Sequence, residues 1–227
     1  MSIYFPKNLV SKFFTNTAGS YDKIVRYATF GKDLLWKRHI LNKIHGNSIL
    51  DLACGTGILT RMIAQKFQDA TIVGVDITPS YLDVAKSNSK SFKNILFLHQ
   101  DAEVLKIEQK FDSIVSSYIP KYCDAQTLIK KCILHLNPNG VIILHDFTYP
   151  KNIFIRYLWN SYFVLLHFIG YFIPTWHDAF VELPKLIRSS NWLGDYVSVM
   201  KKYGLDVDIE YMTLNSCAVI IGQKLNS

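Results

Sequence analysis

Asp51, Asp76 and Asp101 each stand where an apolar run breaks into a turn. The first run, residues 49–57 (ILDLACGTG), carries the most chemistry. Ile49, Leu50 and Leu52 have the character of a buried strand. Gly55 and Gly57 permit a tight turn and let a ligand approach the backbone closely. Residues 58–67 read as a helix with Leu59, Met62, Ile63 and Phe67 on one side. Strand, glycine turn and helix form the first unit of a nucleotide-binding sheet, with the ligand over the helix N-terminus. Residues 71–75 (TIVGV) are a second apolar strand, and Asp76 ends it. Such sheets place an acidic residue about 20 positions beyond the glycine turn, where it accepts hydrogen bonds from a ribose.

The bend argues against a dinucleotide. It lacks the third glycine of GxGxxG, and the Asp51 carboxylate just before it would repel a pyrophosphate. That carboxylate suits a ligand with positive charge, such as an amino acid with its ammonium group. S-adenosylmethionine is a nucleoside joined to an amino acid without phosphate, and DLACGTG resembles the first motif of class I S-adenosylmethionine-dependent methyltransferases. The competing use of the same residues is a strand and turn that serve packing alone.

The elements that must position these residues follow in order. Residues 21–44 read as helical, interrupted near Gly31, and form with the residues before them (about 1–45) a helical cover over the ligand site; packing on the outside of the sheet is the alternative. Residues 1–20 are mixed in character and expected to be partly ordered. Pro79 opens a helix to about Ser91. Residues 94–99 are a third strand, followed by Asp101 and Ala102, where this architecture meets an adenine: Asp101 accepts from the exocyclic amine beside the Ala102 N–H, with an ordinary charged loop as the alternative. Residues 111–117 are a fourth strand, and the loop 118–123 leaves its carboxyl end, where open α/β sheets place ligands. A helix over 124–136, a turn at 137–140 and a fifth strand over 141–144 come next.

Residues 153–174 (IFIRYLWNSYFVLLHFIGYFIP) are long enough to be weighed as a membrane span, but Arg156, Asn160 and His167 count against one. We read an aromatic insertion over about 151–190, one or two helices that wall a greasy substrate and touch a membrane surface; an ordinary buried helix pair is the alternative. A helix over 192–203 and strands over 205–214 and 216–223 close the chain.

At 227 residues and 49% hydrophobic content the chain suits one α/β domain. A net charge of +7 fits nucleic acid, an anionic membrane surface, or no special partner. Cys54, Cys123, Cys132 and Cys217 show no metal-site spacing and read as reduced thiols of a cytoplasmic protein, peripheral to the membrane if the insertion touches it. No metal is expected. The N-terminal MSIYFPKNLV lacks the apolar core of a secretory signal.

Several segments together resemble one family, the ubiquinone/menaquinone-biosynthesis C-methyltransferases: residues 13–41 (FFTNTAGSYDKIVRYATFGKDLLWKRHIL), ILDLACGTG, HQDAEVL (99–105), LHDFTYP (144–150) and the stretch from WLGDY to VIIGQK (192–224). The resemblance spans nearly the whole chain, and its YD…FG…LWKR part is more specific than any glycine turn. It implies a Rossmann-like class I α/β fold, a seven-stranded sheet of order 3-2-1-4-5-7-6 with the seventh strand antiparallel and helices on both faces. It implies S-adenosylmethionine as cofactor and a lipophilic quinol as partner, methylated on a ring carbon. It assigns cofactor contacts to Thr56, Asp76, Asp101, Ala102 and Ser117, with Ile77 beside Asp76 and with Gly55 and Gly57; Tyr21 falls near the methionine portion. One departure concerns the acceptor. The family carries Arg-Asn in the loop after the fourth strand, where this chain has Pro120-Lys121, which leaves room for another isoprenoid quinone or another acceptor.

The implied reaction needs a sulfonium methyl aligned with a ring carbon and a phenol made electron-rich by deprotonation. Lys121, Tyr118, His145, Asp146 and His177 are candidates, with Lys121 favoured as the group that stabilises the oxyanion. Other lipidic or small acceptors, such as sterols or phospholipid head groups, stay open, as does a non-catalytic cofactor-binding partner at a membrane. Nucleic acid is disfavoured because the aromatic insertion is too apolar for its groove. A homodimer is left open.

Overall fold

The computed structural model describes residues 7–224, so the expectation for residues 1–6 lies outside the described residues. Seven strands form one sheet: β1 (Ser48–Leu52), β2 (Thr71–Asp76), β3 (Ile95–His99), β4 (Phe111–Ser117), β5 (Leu136–Phe147), β6 (Leu205–Met212) and β7 (Cys217–Lys224). Their order is β3-β2-β1-β4-β5-β7-β6. β7 runs antiparallel between β5 and β6, and the other pairings are parallel. This is the class I methyltransferase sheet that the sequence implies.

The strand period of two divides the core. Leu50, Leu52, Ile114, Ile142 and Leu144 face one layer, made by α6 (Ala125–Leu134) and α9 (Trp192–Lys202). Ile49, Ile72, Val115 and Ile143 face the other, where α3 (Lys32–Leu41) and α4 (Ile58–Lys66) pack. A third cluster lies above the carboxyl ends of the strands. It joins α1 (Lys7–Phe14) and α2 (Tyr21–Ala28) to two helices inserted after β5, α7 (Ile153–Gly170) and α8 (Pro174–Ser189). α5 (Pro79–Asn88) completes the helices, and Pro79 supplies its fixed φ at the start.

The 21–44 segment divides into α2 and α3 at Gly31, whose φ of 73° suits a residue without a Cβ. Pro174 opens the second helix of the insertion, which ends at Ser189, within the expected span. The turn expected at 137–140 is a bulge within β5. Leu136 already pairs with Phe111, and Val141 pairs with Ser113, so two steps on β4 oppose five on β5. The bulge is tied down: the Asn137 amide donates to Asp112 at 2.8 Å and the Gln223 amide to the Asn139 carbonyl at 2.6 Å. The chain turns from β6 into β7 through Thr213, Leu214 and Asn215, all with positive φ.

Gly74 sits mid-strand beneath the first bend. A Cβ there would lie 2.8 Å from the Phe97 ring and 3.1 Å from the Cys54 sulfur. We expect Gly74→Ala to cost about 1–3 kcal/mol, the usual range for overpacking a filled core, read from the denaturant midpoint. An unchanged midpoint would show that Phe97 yields freely.

Candidate active site

A cavity of about 390 Å³ lies between the carboxyl ends of β1, β2 and β4 and the helical cover. Its floor is the bend after β1. Ala53 and Gly55 take positive φ (53° and 57°), and the Cys54 N–H donates to the Val75 carbonyl at 2.9 Å, which closes the turn onto β2. Gly57, at φ 78°, opens α4; a Cβ there would lie 3.1 to 3.3 Å from Arg61, Ala85 and Phe97. The Asp76 carboxylate ties the two βα turns together. Its Oδ2 accepts the Gly55 N–H and its Oδ1 the Thr78 N–H, each at 2.8 Å. Burial nevertheless pushes its pKa up, against these backbone donors. Further along the wall, Asp101 precedes a short 3-10 turn (Ala102–Val104) and accepts the Glu103 N–H at 3.0 Å.

The roof is aromatic. Tyr21 packs edge-on to Tyr81 (5.2 Å) and Phe14 (6.1 Å) and lies tilted over Trp176 at 6.0 Å. The cover is fastened by few polar contacts. Thr56 in the bend donates to Asp22 on α2, the Thr17 and Tyr81 hydroxyls share a hydrogen bond at 2.8 Å, and Trp176 donates to Ser20 at 2.9 Å.

The far end lies over β4 and β5. Tyr118 has a φ of 81°, its ring stacks on Phe147 at 5.0 Å, and its hydroxyl donates to Asp33 at 2.7 Å. Asp33 in turn pairs with Lys37 one turn along α3, both buried. Next to Tyr118, Lys121 is buried and ion-paired with Asp146. The Asp146 carboxylate also accepts the Lys121 N–H at 3.1 Å and the Phe147 N–H at 2.7 Å. Burial pulls the Lys121 ammonium down and pushes the Asp146 carboxyl up, and each opposes the shift of the other. The Lys121 Nζ donates to the Tyr118 carbonyl at 3.3 Å, so two of its three donors have protein partners. It also sits 4.7 Å from the Tyr122 ring centre.

Tyr21, Gly55, Asp76, Ile77, Asp101, Ala102, Ser117, Tyr118 and Lys121 all line this one cavity. Other sequence-selected residues do not. Thr56 turns to Asp22, and Gly57 lies in the bend below the wall. Asp51 shares a strand face with Ile49, so its side chain points toward α4 and accepts from Thr60 at 2.7 Å. It therefore lies beneath the bend and does not line the cavity. Asp146 sits behind Lys121 as its counterion. His145 is buried between Trp36 and Tyr118 with its Nδ1 3.0 Å from the Ser117 hydroxyl; burial holds its pKa well below the usual range, so the ring is neutral. His177 lies on α8 beside Asp178, away from the cavity wall. Sequence reasoning missed Asp22, Asp33 and Lys37. The i,i+4 spacing of Asp33 and Lys37 marks a pair, but nothing local says that the pair is buried.

The residues present fit S-adenosylmethionine. The Asp76 carboxylate lines the wall beside the bend, and Lys32 and Lys121 are the only cationic side chains among the described residues of the wall.

Comparison with known proteins agrees with this geometry. A model of the ubiE/COQ5 methyltransferase family matches residues 4–224. The demethylmenaquinone methyltransferase of Thermus thermophilus is 26% identical over 93% of this chain and 99% of its own length. A malonyl-acyl-carrier-protein O-methyltransferase of Priestia megaterium is 30% identical, over 62% of this chain and 52% of its own. A solved structure from Methanococcus maripaludis, described as an S-adenosylmethionine-dependent methyltransferase, superposes with a TM-score of 0.68 at 19% identity, covering 95% of each chain, and shows the shared fold.

The raised pKa of Asp51 predicts pH-dependent binding of a cationic ligand over the bend. Burial pushes its carboxyl up to about 7, with the Thr60 hydroxyl pulling the other way. A carboxyl raised in this way stabilises the fold below the ordinary Asp range, and that contribution is lost as pH rises through about 7. A cation above it favours the ionised form, so binding expels a proton and affinity rises with pH; Asp76 adds the same sign. We expect S-adenosylmethionine to bind up to about tenfold more tightly at about pH 8 than at about pH 6, and Asp51→Asn to remove most of that slope. Calorimetric titrations across this range check it, and a flat wild-type profile would contradict it.

Proposed function

Because the chain belongs to the ubiE/COQ5 methyltransferase family and is an S-adenosylmethionine-dependent methyltransferase, we propose that it methylates a ring carbon of an isoprenoid quinol, of the demethylmenaquinol or polyprenyl benzoquinol type. The observation that carries this reading is a single cavity that runs from the Asp76 carboxylate to Lys121 between aromatic walls. A flat, apolar ring suits such walls. An anionic acyl acceptor suits them less well, since Lys121 is already neutralised by Asp146.

When bound, S-adenosylmethionine supplies an electrophilic methyl on a cationic sulfur. Asp76 would hold its ribose hydroxyls, and Asp101 with the Ala102 N–H would hold its adenine edge. Asp51, beneath the bend, favours the positive charge of the methionine portion. At the other end the third donor of Lys121 would hydrogen-bond the acceptor's phenol oxygen and favour loss of its proton, and the resulting phenolate carries electron density onto the neighbouring ring carbon. Asp146 fixes the ammonium in place, and Tyr118, held by Phe147 and Asp33, forms the wall beside it. The aromatic roof excludes water from the methyl path.

Two measurements test this. Mass spectrometry of the products from a demethylmenaquinol and from a polyprenyl benzoquinol should find one of them heavier by a single methyl; conversion of neither, with methyl transfer to a malonyl thioester instead, would overturn the acceptor. Lys121→Met should lower turnover by about 10²–10³-fold while S-adenosylmethionine affinity holds. That variant strands a buried carboxylate at a cost of about 3–5 kcal/mol. The double variant Lys121→Met, Asp146→Asn should therefore recover stability without recovering turnover. Full turnover in the double variant would remove Lys121 from the mechanism.

A further inference from the structure

α7 has two apolar sides with different fates. Trp159, Phe163 and Leu166 are buried and line the cavity. On the opposite side Phe154, Leu158, Leu165 and Phe168 recur at helical spacing and stay exposed, Phe154 at 77% and Phe168 at 61%. Only 17% of the helix is buried, although it is apolar and long enough by composition to cross a membrane. The mouth of the cavity adjoins this surface. Phe30 lines the cavity while remaining 77% exposed, and its ring lies 5.4 Å from that of Tyr162 on α7.

We infer that the outer side of α7 lies in the interfacial plane of an anionic phospholipid bilayer, with the cavity mouth at Phe30 facing the lipid. Charge selects this occupant. The chain carries a net +7, and no Asp or Glu occurs between Phe147 and His177. Lys151 is exposed at the start of α7, and Arg26 and Lys32 are exposed on either side of Phe30 in sequence. Basic residues beside an apolar helical side are the signature of a helix that lies on a membrane. Spanning is ruled out by packing. The inner side of α7 is committed to α8 and the cavity, and Arg156 is pinned to the Pro150 carbonyl at 2.6 Å. A lipid-facing mouth gives a lipidic acceptor a route that avoids water. That use rests on the proposed function, whereas the docking does not.

The test needs no acceptor. Full-length protein with S-adenosylmethionine is floated with vesicles of about three parts phosphatidylcholine to one part phosphatidylglycerol. The wild type should float. The triple variant Phe154→Gln, Leu158→Gln, Phe168→Gln should keep its S-adenosylmethionine affinity and lose about tenfold or more in partitioning. A Phe168→Trp variant reports independently: lipids brominated near the top of the acyl chain should quench its added fluorescence. Wild-type protein that stays unbound, equal flotation of both proteins, or absence of quenching would overturn the inference. So would a wild-type dimer that the triple variant converts to monomer while neither binds vesicles, because a second copy would then cover this side.

Discussion

The Asp76 carboxylate is the joint on which the site depends. It lies in a nearly dry position, where an ionised group is costly, and two backbone N–H donors from different turns offset that cost. One donor fixes the bend after β1, and the other fixes the start of the next crossover. The two loops that border the cavity are therefore held by one side chain that also lines it. Gly55 and Gly57 make the arrangement sterically possible, and the Val75 carbonyl holds Cys54 from below.

The rest of the site is built on less rigid principles. The cover is a cluster of rings fastened at a few polar points, such as Thr56 to Asp22 and the Tyr162 hydroxyl to the Ala28 carbonyl. Ring packing is apolar and tolerant, so the cover can shape a cavity for a greasy ligand without demanding one particular molecule. The acceptor end is different again. Two buried ion pairs, Asp33–Lys37 and Lys121–Asp146, flank Tyr118. Buried pairs are poor sources of stability, and removal of one partner is expensive, so such pairs fix geometry more than they add free energy.

Much of the fold was legible because it rests on local patterns. Residues 49–57 combine strand, glycine bend and helix start within one short window, and the parallel core strands read as continuous apolar runs. Asp51, read from the sequence as serving the ligand, instead shares a strand face with Ile49 and turns to Thr60, because the strand period of two sets its side. What local patterns do not contain is partnership across the sequence. A lysine in a loop reads as solvated; Lys121 is buried because Asp146, 25 residues on, lies at the end of the neighbouring strand. The residues at 137–140 have turn chemistry, but only the pairing of Leu136 with Phe111 makes them a bulge. Asp33 and Asp22 sit in helices whose burial depends on a cover assembled from both halves of the chain.

The central claim is that one carboxylate both closes the bend and holds the nucleoside. Calorimetric titration of Asp76→Ala with S-adenosylmethionine tests it most directly. Loss of hydrogen bonds to a charged group, together with loosening of the bend, should weaken binding by about 3 kcal/mol or more, beyond a hundredfold. Binding within a few-fold of wild type would contradict the account.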